Sequence, residues 1–173
     1  MVNDFSLIHS DSEYIQWYKL SKNLFNLDED VVFGAIYVPP ENSRFFNQML
    51  LDSFYAEIEL FNTENKYVIL LGDLNARTAT MPDIIEFDQT ILDHIDVDTS
   101  DIYLLNVYDQ LSKLQMSFTR KSHDTIVNRC GRILTEFCRS NELVILNGRS
   151  FNDKEGKLTC KDTSIVDYII SSF

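Results

Sequence analysis

Asp73 and Asn75 stand two residues apart at the end of an apolar run, Tyr67-Val68-Ile69-Leu70-Leu71-Gly72-Asp73-Leu74-Asn75-Ala76-Arg77. On an extended backbone that spacing points both side chains the same way. A carboxylate there can bind a hard cation or take a proton from water, and an amide beside it can hold a phosphate oxygen or a water. Gly-Asp-Leu-Asn is also the composition of an ordinary turn after a strand, so the stretch alone leaves both readings open.

Other elements must carry those groups. Val68 to Leu71 have no polar neighbour on either face, which predicts a strand covered on both sides, and Gly72 permits a sharp or close-packed backbone after it. Upstream, Tyr14 to Leu20 alternates and is rich in aromatics, and Val31 to Val38 is apolar and closed by Pro39-Pro40; the two are expected to pair as a hairpin. Asn42 or Ser43 should cap a helix whose apolar positions Phe46, Met49, Leu50, Phe54, Ile58 and Phe61 recur every three or four residues, stopped by Asn62 to Asn65. Strand, helix, strand 67–71 is then a crossover unit of one sheet.

Residues 81–129 have no sustained period and predict short helices and loops. The acid run Asp93, Asp96, Asp98 and Asp101 lacks the glycine and terminal glutamate of a calcium loop and reads as a solvated face. Ile133, Leu134, Phe137 and Cys138 form one helical stripe ending at Asn141. Residues 142–147 predict a buried strand, 157–160 a short strand and 164–171 a last one. The polar lead 1–13 is expected to fray.

At 173 residues and 45% hydrophobic, the chain is the size of one domain able to bury a core. Its 27 acidic and 15 basic residues, net −12, give the wrong field for coating nucleic acid, so any such contact must be local. The basic cluster Arg120, Lys121, His123, Arg129 and Arg132 reads as a solvated loop and helix face. Cys130, Cys138 and Cys160 lack zinc-finger spacing and are odd in number, which suits reduced thiols filling the core of an intracellular protein. No apolar run is long enough to span a bilayer, and Met1-Val2-Asn3-Asp4 does not open a secretory signal.

Taken together, Tyr37-Val38-Pro39-Pro40, Gly72-Asp73-Leu74-Asn75-Ala76 and Ser164-Ile165-Val166-Asp167-Tyr168-Ile169, in this order and all at strand ends, resemble the endonuclease/exonuclease/phosphatase superfamily. The wording is closest to endonuclease domains of non-LTR retroelements, through Asn128-Arg129-Cys130-Gly131-Arg132 with Phe137-Cys138, and Leu143-Val144-Ile145-Leu146-Asn147-Gly148-Arg149. The resemblance covers the chain from about residue 14 onward. It implies a DNase I-like α/β sandwich, two packed mixed sheets flanked by helices, and metal-dependent hydrolysis of DNA phosphodiesters.

The resemblance also assigns roles. Asp73 would activate or orient the attacking water, Asn75 would bind the phosphate and steady Asp73, and Asp167 would orient a catalytic histidine. Tyr37 would contact the scissile phosphate, although a strand-end tyrosine packing the sheet is an equal reading. Ser164 belongs to the same motif as Asp167, and Asn147 and Arg149 are substrate-side candidates at a neighbouring strand tip. The cofactor implied is Mg²⁺, with Mn²⁺ as the alternative. The metal ligands stay unassigned, Asp73 being the nearest candidate, because the family's glutamate has no counterpart: neither Glu13 nor Glu29 has its strand context.

The closing Ser-Asp-His signature is also missing, and none of His9, His94 and His123 occupies its position. The expectation is therefore a single incomplete domain over 1–173, truncated at both ends, with weak or absent metal binding and impaired hydrolysis. It would act on DNA in the nucleus, alongside other domains of a retroelement polyprotein. The competing expectations are a non-catalytic binding or scaffold remnant, and a phosphatase or lipid phosphodiesterase of the same superfamily.

Overall fold

A computed structural model describes residues 4–85 and 107–172 of the chain. Six strands form one mixed sheet: β1 (Phe5–Ile8), β2 (Ile15–Leu20), β3 (Val31–Tyr37), β4 (Tyr67–Asp73), β5 (Val144–Ile145) and β6 (Asp167–Ser171). Their order across the sheet is β1-β2-β3-β4-β6-β5, with β3 and β4 parallel and every other pair antiparallel. Among the described residues this is the one sheet, so the second layer of the expected sandwich is not among them.

The β2–β3 hairpin and the crossover from β3 to β4 form as the sequence predicts. The crossover is α1 (Gln48–Glu64), whose cap is Asn47 rather than Asn42 or Ser43. The Asn47 carboxamide oxygen accepts from Met49 N at 2.8 Å, while Ser43 Oγ instead closes a turn by accepting from Phe45 N. The buried face is Leu51, Phe54 and Ile58, and Met49, in the first turn, is exposed. Trp17 of β2 is fully buried and stacks on Phe61, 4.2 Å between ring centres. A second helix, α2 (Arg129–Ser140), buries Cys130, Leu134 and Cys138 and ends at Asn141 as expected. All three cysteines are free thiols.

Several expectations need correction. The lead does not fray throughout: residues 5–8 pair with β2, because Phe5 and Leu7 alternate with Ser6 along a strand edge. β4 is covered on one face only. Val68 and Leu70 are buried, whereas Leu71 is exposed, because both α1 and α2 pack on the same side of the sheet. The strand expected over 142–147 shrinks to Val144–Ile145, and 157–160 supplies a lone bridge from Cys160 to Ser164 rather than a strand. Residues 107–113 are helical, in keeping with the short helices expected there. The acid run 93–101 and His94 lie outside the described residues.

Arg120 is not on a solvated face either. It is buried, with Nε 3.2 Å from Asp83 Oδ1 and Nη2 donating to Thr78 Oγ1 and to the Met81 carbonyl.

Candidate active site

The pairing register sets one row of side chains at the ends of three adjacent strands. Tyr37 of β3 pairs with Asp73 of β4, and Asp73 pairs with Asp167 of β6. Residues opposite one another in neighbouring strands project from the same face, so the phenol and the two carboxylates stand side by side. Tyr37 is 58% exposed, and the two aspartates are half-buried. Beside Tyr37 runs a cleft of about 810 Å³, with Leu7, His9, Glu13, Leu71 and Gly72 among its walls.

Partial burial raises the Asp73 carboxyl above the ordinary carboxylate range, and the Asp167 charge reinforces it against the opposing bond from Asn75 N–H. A carboxylate so placed holds a proton more readily than a free one. Gly72 lets the strand end here: a Cβ would lie 1.9 Å from the Ile36 carbonyl oxygen, and its φ of +152° suits glycine alone.

The loop after β4 is tied down at nearly every residue. Asn75 takes a left-handed backbone, φ 46°, its N–H donates to Asp73 Oδ1 at 2.9 Å, and its Nδ2 donates to the Val38 carbonyl at 2.9 Å. Asn75 thus steadies Asp73 and the strand end that carries Tyr37. Leu74 N donates to the Val166 carbonyl, and the buried Tyr168 hydroxyl donates to the Ala76 carbonyl, joining this loop to the one entering β6.

Three residues to which the sequence assigned no role at the site hold it together. Asn128, the N-cap of α2, accepts from Gly131 N and Arg77 N through Oδ1, and donates from Nδ2 to the Asn75 carbonyl at 2.9 Å. Asp124 receives Arg77 Nε at 2.8 Å and Nη2 at 2.6 Å, and also the backbone N–H groups of Ile126 and Ile165 at 3.0 Å. It therefore clamps the loop after Asp73 to the loop before Asp167. Burial would raise its carboxyl, but Arg77 and the two amides outweigh that and hold it below its usual value. Thr159 Oγ1 accepts from Val166 N and Asp167 N, fixing the start of β6. The capping pattern at Asn128 could have been found in the sequence; Asp124 lies in a stretch without period, and the strand expected over 157–160 gave Thr159 no role at the site.

Of the remaining candidates, Asn147 reaches the row as a support: Nδ2 donates to the Asp167 carbonyl at 3.1 Å and Oδ1 accepts from Ile169 N at 3.0 Å. Ser164 is buried in the turn before β6, where its carbonyl accepts from Thr159 N and Cys160 N. Arg149 is not at the cleft. It is 2% exposed, paired with Asp83 beside Arg120, and burial lowers its guanidinium from the usual value. The apolar strand before it carries it inward, and an arginine with a carboxylate within reach tolerates that burial.

His9 is exposed and paired with Asp11, and His123 N donates to the Gly156 carbonyl. Among the described residues no histidine hydrogen-bonds to Asp167, and no group of three His, Cys, Asp or Glu side chains gathers as a metal cage. No helix among them is long and apolar enough to cross a membrane.

No protein-family model matches the chain, and no curated protein does. Among solved structures, one match is the endonuclease domain of TRAS1, a telomere-specific non-LTR retrotransposon, with a TM-score of 0.50 at 12% identity over 98% of this chain. The chain spans 55% of the length of that structure. With its parallel β3–β4 crossover and its row of strand-end residues, the chain carries the DNase I-like α/β fold found in that retroelement endonuclease domain.

Proposed function

We propose that the chain is a metal-dependent phosphodiesterase module of the DNA-endonuclease type, with attenuated hydrolysis. The observation that carries this reading is the register that aligns Tyr37, Asp73 and Asp167 at one sheet end, where Tyr37 lines an open cleft. The DNA substrate is carried over by fold-level analogy with the TRAS1 endonuclease domain.

Each group has a task. Asp73, whose proton affinity is raised, accepts a proton from the attacking water and orients it. Asn75 fixes the Asp73 carboxylate and keeps a second amide hydrogen for a phosphate oxygen. Tyr37 presents an exposed hydroxyl to the same phosphate. The paired carboxylates Asp73 and Asp167 are hard oxygen donors of the number that Mg²⁺ or Mn²⁺ accepts when waters and substrate oxygens complete its shell. When bound, such an ion supplies the positive charge that phosphate-ester cleavage needs and the carboxylates cannot give. Because the surface is acidic overall, DNA contact is confined to this neighbourhood.

Attenuation follows from the lack, among the described residues, of a histidine hydrogen-bonded to Asp167, since catalytic groups that act as a unit lose several orders of magnitude when one is missing. The test is nicking of supercoiled plasmid with Mg²⁺. Slow nicking that is lost in Asp73→Ala supports the reading; nicking indifferent to Asp73→Ala overturns it.

A second reading, a module that binds without hydrolysing, is favoured by the lack of a three-ligand cluster among the described residues. Metal titration separates the two, because a competent site gains thermal stability by mass action and a remnant does not.

A further inference from the structure

The turn that leads from β3 into α1 carries an aromatic ring and a cation to the surface. Phe46 packs against the core, whereas Phe45, one residue earlier, is 65% exposed. The Arg44 guanidinium lies over one face of the Phe45 ring, 4.6 Å from its centre, and among the described residues no carboxylate pairs with it. The backbone under this pair is fixed. Ser43 Oγ accepts from Phe45 N at 3.2 Å, and the buried Tyr14 hydroxyl donates to the Phe45 carbonyl at 3.3 Å while accepting from Asn47 N at 3.0 Å.

Short chains of contacts tie this surface to the row of strand-end residues. The Tyr14 carbonyl accepts from Tyr37 N at 2.9 Å, so the residue that anchors Phe45 is also the backbone neighbour of Tyr37. On the other side, Arg129 follows Asn128, whose Nδ2 donates to the Asn75 carbonyl. Arg129 is half-exposed and braced against the same turn and helix, Nη1 donating to Glu41 at 2.9 Å and Nη2 to Gln48 at 2.8 Å. The local charge departs from that of the chain. Arg44, Arg129 and, one turn along α2, Arg132 stand here against Glu41 and Asp52, in a sequence where 27 acidic residues outnumber 15 basic ones.

We propose that Arg44, Phe45 and Arg129 form a shelf for the DNA strand flanking the scissile phosphate, with the free face of the Phe45 ring stacking on an unpaired base. This rests on the DNA-directed reading of the row and adds the form of DNA that the site prefers. A ring backed by a guanidinium has one π face left to offer, and a base is the part of a nucleic acid that stacks on it. A paired duplex turns its phosphates and sugars outward, so only a base that has left the helix meets such a ring. The two guanidinium groups present N–H donors to phosphate oxygens on the same strand, the task for which a planar, always-charged group is suited. Ring and cations are held in place before DNA arrives, which leaves little ordering to offset the contact.

Fluorescence anisotropy with the whole chain in EDTA, on one labelled duplex with and without a central bubble of unpaired bases, is the test. The native chain should bind the bubble about tenfold more tightly. Phe45→Ala should erase that preference with its circular dichroism retained, since the Tyr14 hydroxyl bonds to backbone, and Phe45→Trp should keep it. Arg44→Gln and Arg129→Gln should each weaken binding to both duplexes and lower the salt dependence by about one counterion. Arg139→Gln, paired with Glu136 at the other end of α2, should change neither. Equal affinity for the two duplexes, no binding at all, a bubble preference that survives Phe45→Ala, or arginine variants without effect would overturn the proposal. Binding in EDTA needs no hydrolysis, so the two readings fail separately. Asp73-dependent nicking beside a Phe45→Ala variant that binds like the native chain overturns the shelf alone, and a Phe45-dependent preference beside nicking indifferent to Asp73→Ala leaves the shelf standing.

Discussion

Asp124→Asn tests whether the two loops of the site are held by one clamp. The Asp124 carboxylate accepts four N–H groups, two from Arg77 and one each from Ile126 and Ile165, and it is fully buried. An asparagine in the same place has one oxygen, which keeps one of the two pairs. Its NH₂ then meets either Arg77 Nε and Ile165 N, or Arg77 Nη2 and Ile126 N, donor against donor. Two bonds are lost, at least one to a charged partner. At about 1–3 kcal/mol for each buried donor left unsatisfied, and discounting for the quarter exposure of Arg77, the cost is about 3 kcal/mol.

For a chain of this size that lowers Tm by about 6–12 °C. Thermal unfolding by circular dichroism at pH 7 measures it, with plasmid nicking alongside. The pH dependence supplies an internal control. The folded-state pKa of Asp124 is depressed, so its stabilisation is fully present above the unfolded pKa and is lost as pH falls through the folded one. The gap between wild type and variant should therefore close in acid. A Tm loss under 3 °C at pH 7, or a gap that persists unchanged to low pH, would falsify the clamp.

Removing Asp83 should leave two buried guanidinium groups unpaired and cost about 3–5 kcal/mol in urea unfolding. Arg149→Met should cost within about 1 kcal/mol, because Arg149 Nε and Nη1 have no partner and its departure balances the remaining Asp83–Arg120 pair; equal costs would count against this. Asp73→Asn should abolish nicking yet raise Tm at neutral pH. The folded pKa of Asp73 is raised, so stability falls as pH climbs through the unfolded and then the folded value, and the amide escapes that loss. Asn128→Ala should cost about 1–2 kcal/mol as a lost helix cap and slow nicking further, and unaltered nicking would separate the cap from the site.

The parts of the fold legible in the sequence were those whose periodicity has a single cause. The α1 crossover carries helical spacing, and β2, β3 and the strand ending at Asp73 are alternating or continuous apolar runs bounded by turn formers. The Asp73–Asn75 pair was legible because two chemically apt residues sat at the end of such a strand. Tyr37 and Asp167 came from resemblance, and the structure brings both to the same row.

What could not be read depended on contacts between distant stretches. Arg149 looked like a strand-tip cation, and only the position of Asp83 and Arg120 reveals that it turns inward. A wholly apolar stretch such as Val68 to Leu71 cannot tell one-sided from two-sided burial, since every position satisfies both. Asp124 and Thr159 act through backbone amides of loops, a role that any short polar residue could fill and that no spacing announces.

The place of β6 between β4 and β5 also governs when this site can assemble during folding. β3 and β4 are joined by one helix and can pair early, so Tyr37 and Asp73 become neighbours through a short closure. Asp167 reaches Asp73 only after most of the intervening second half of the chain has been looped out, and that closure entropy must be met before the strand contacts reward it. By loop closure, two of the three members of the row should pair early and the third late. Hydrogen exchange during refolding should therefore protect β3 and β4 amides ahead of those of β6, and the Asp73–Asp167 pair should be the last feature of the sheet to mature.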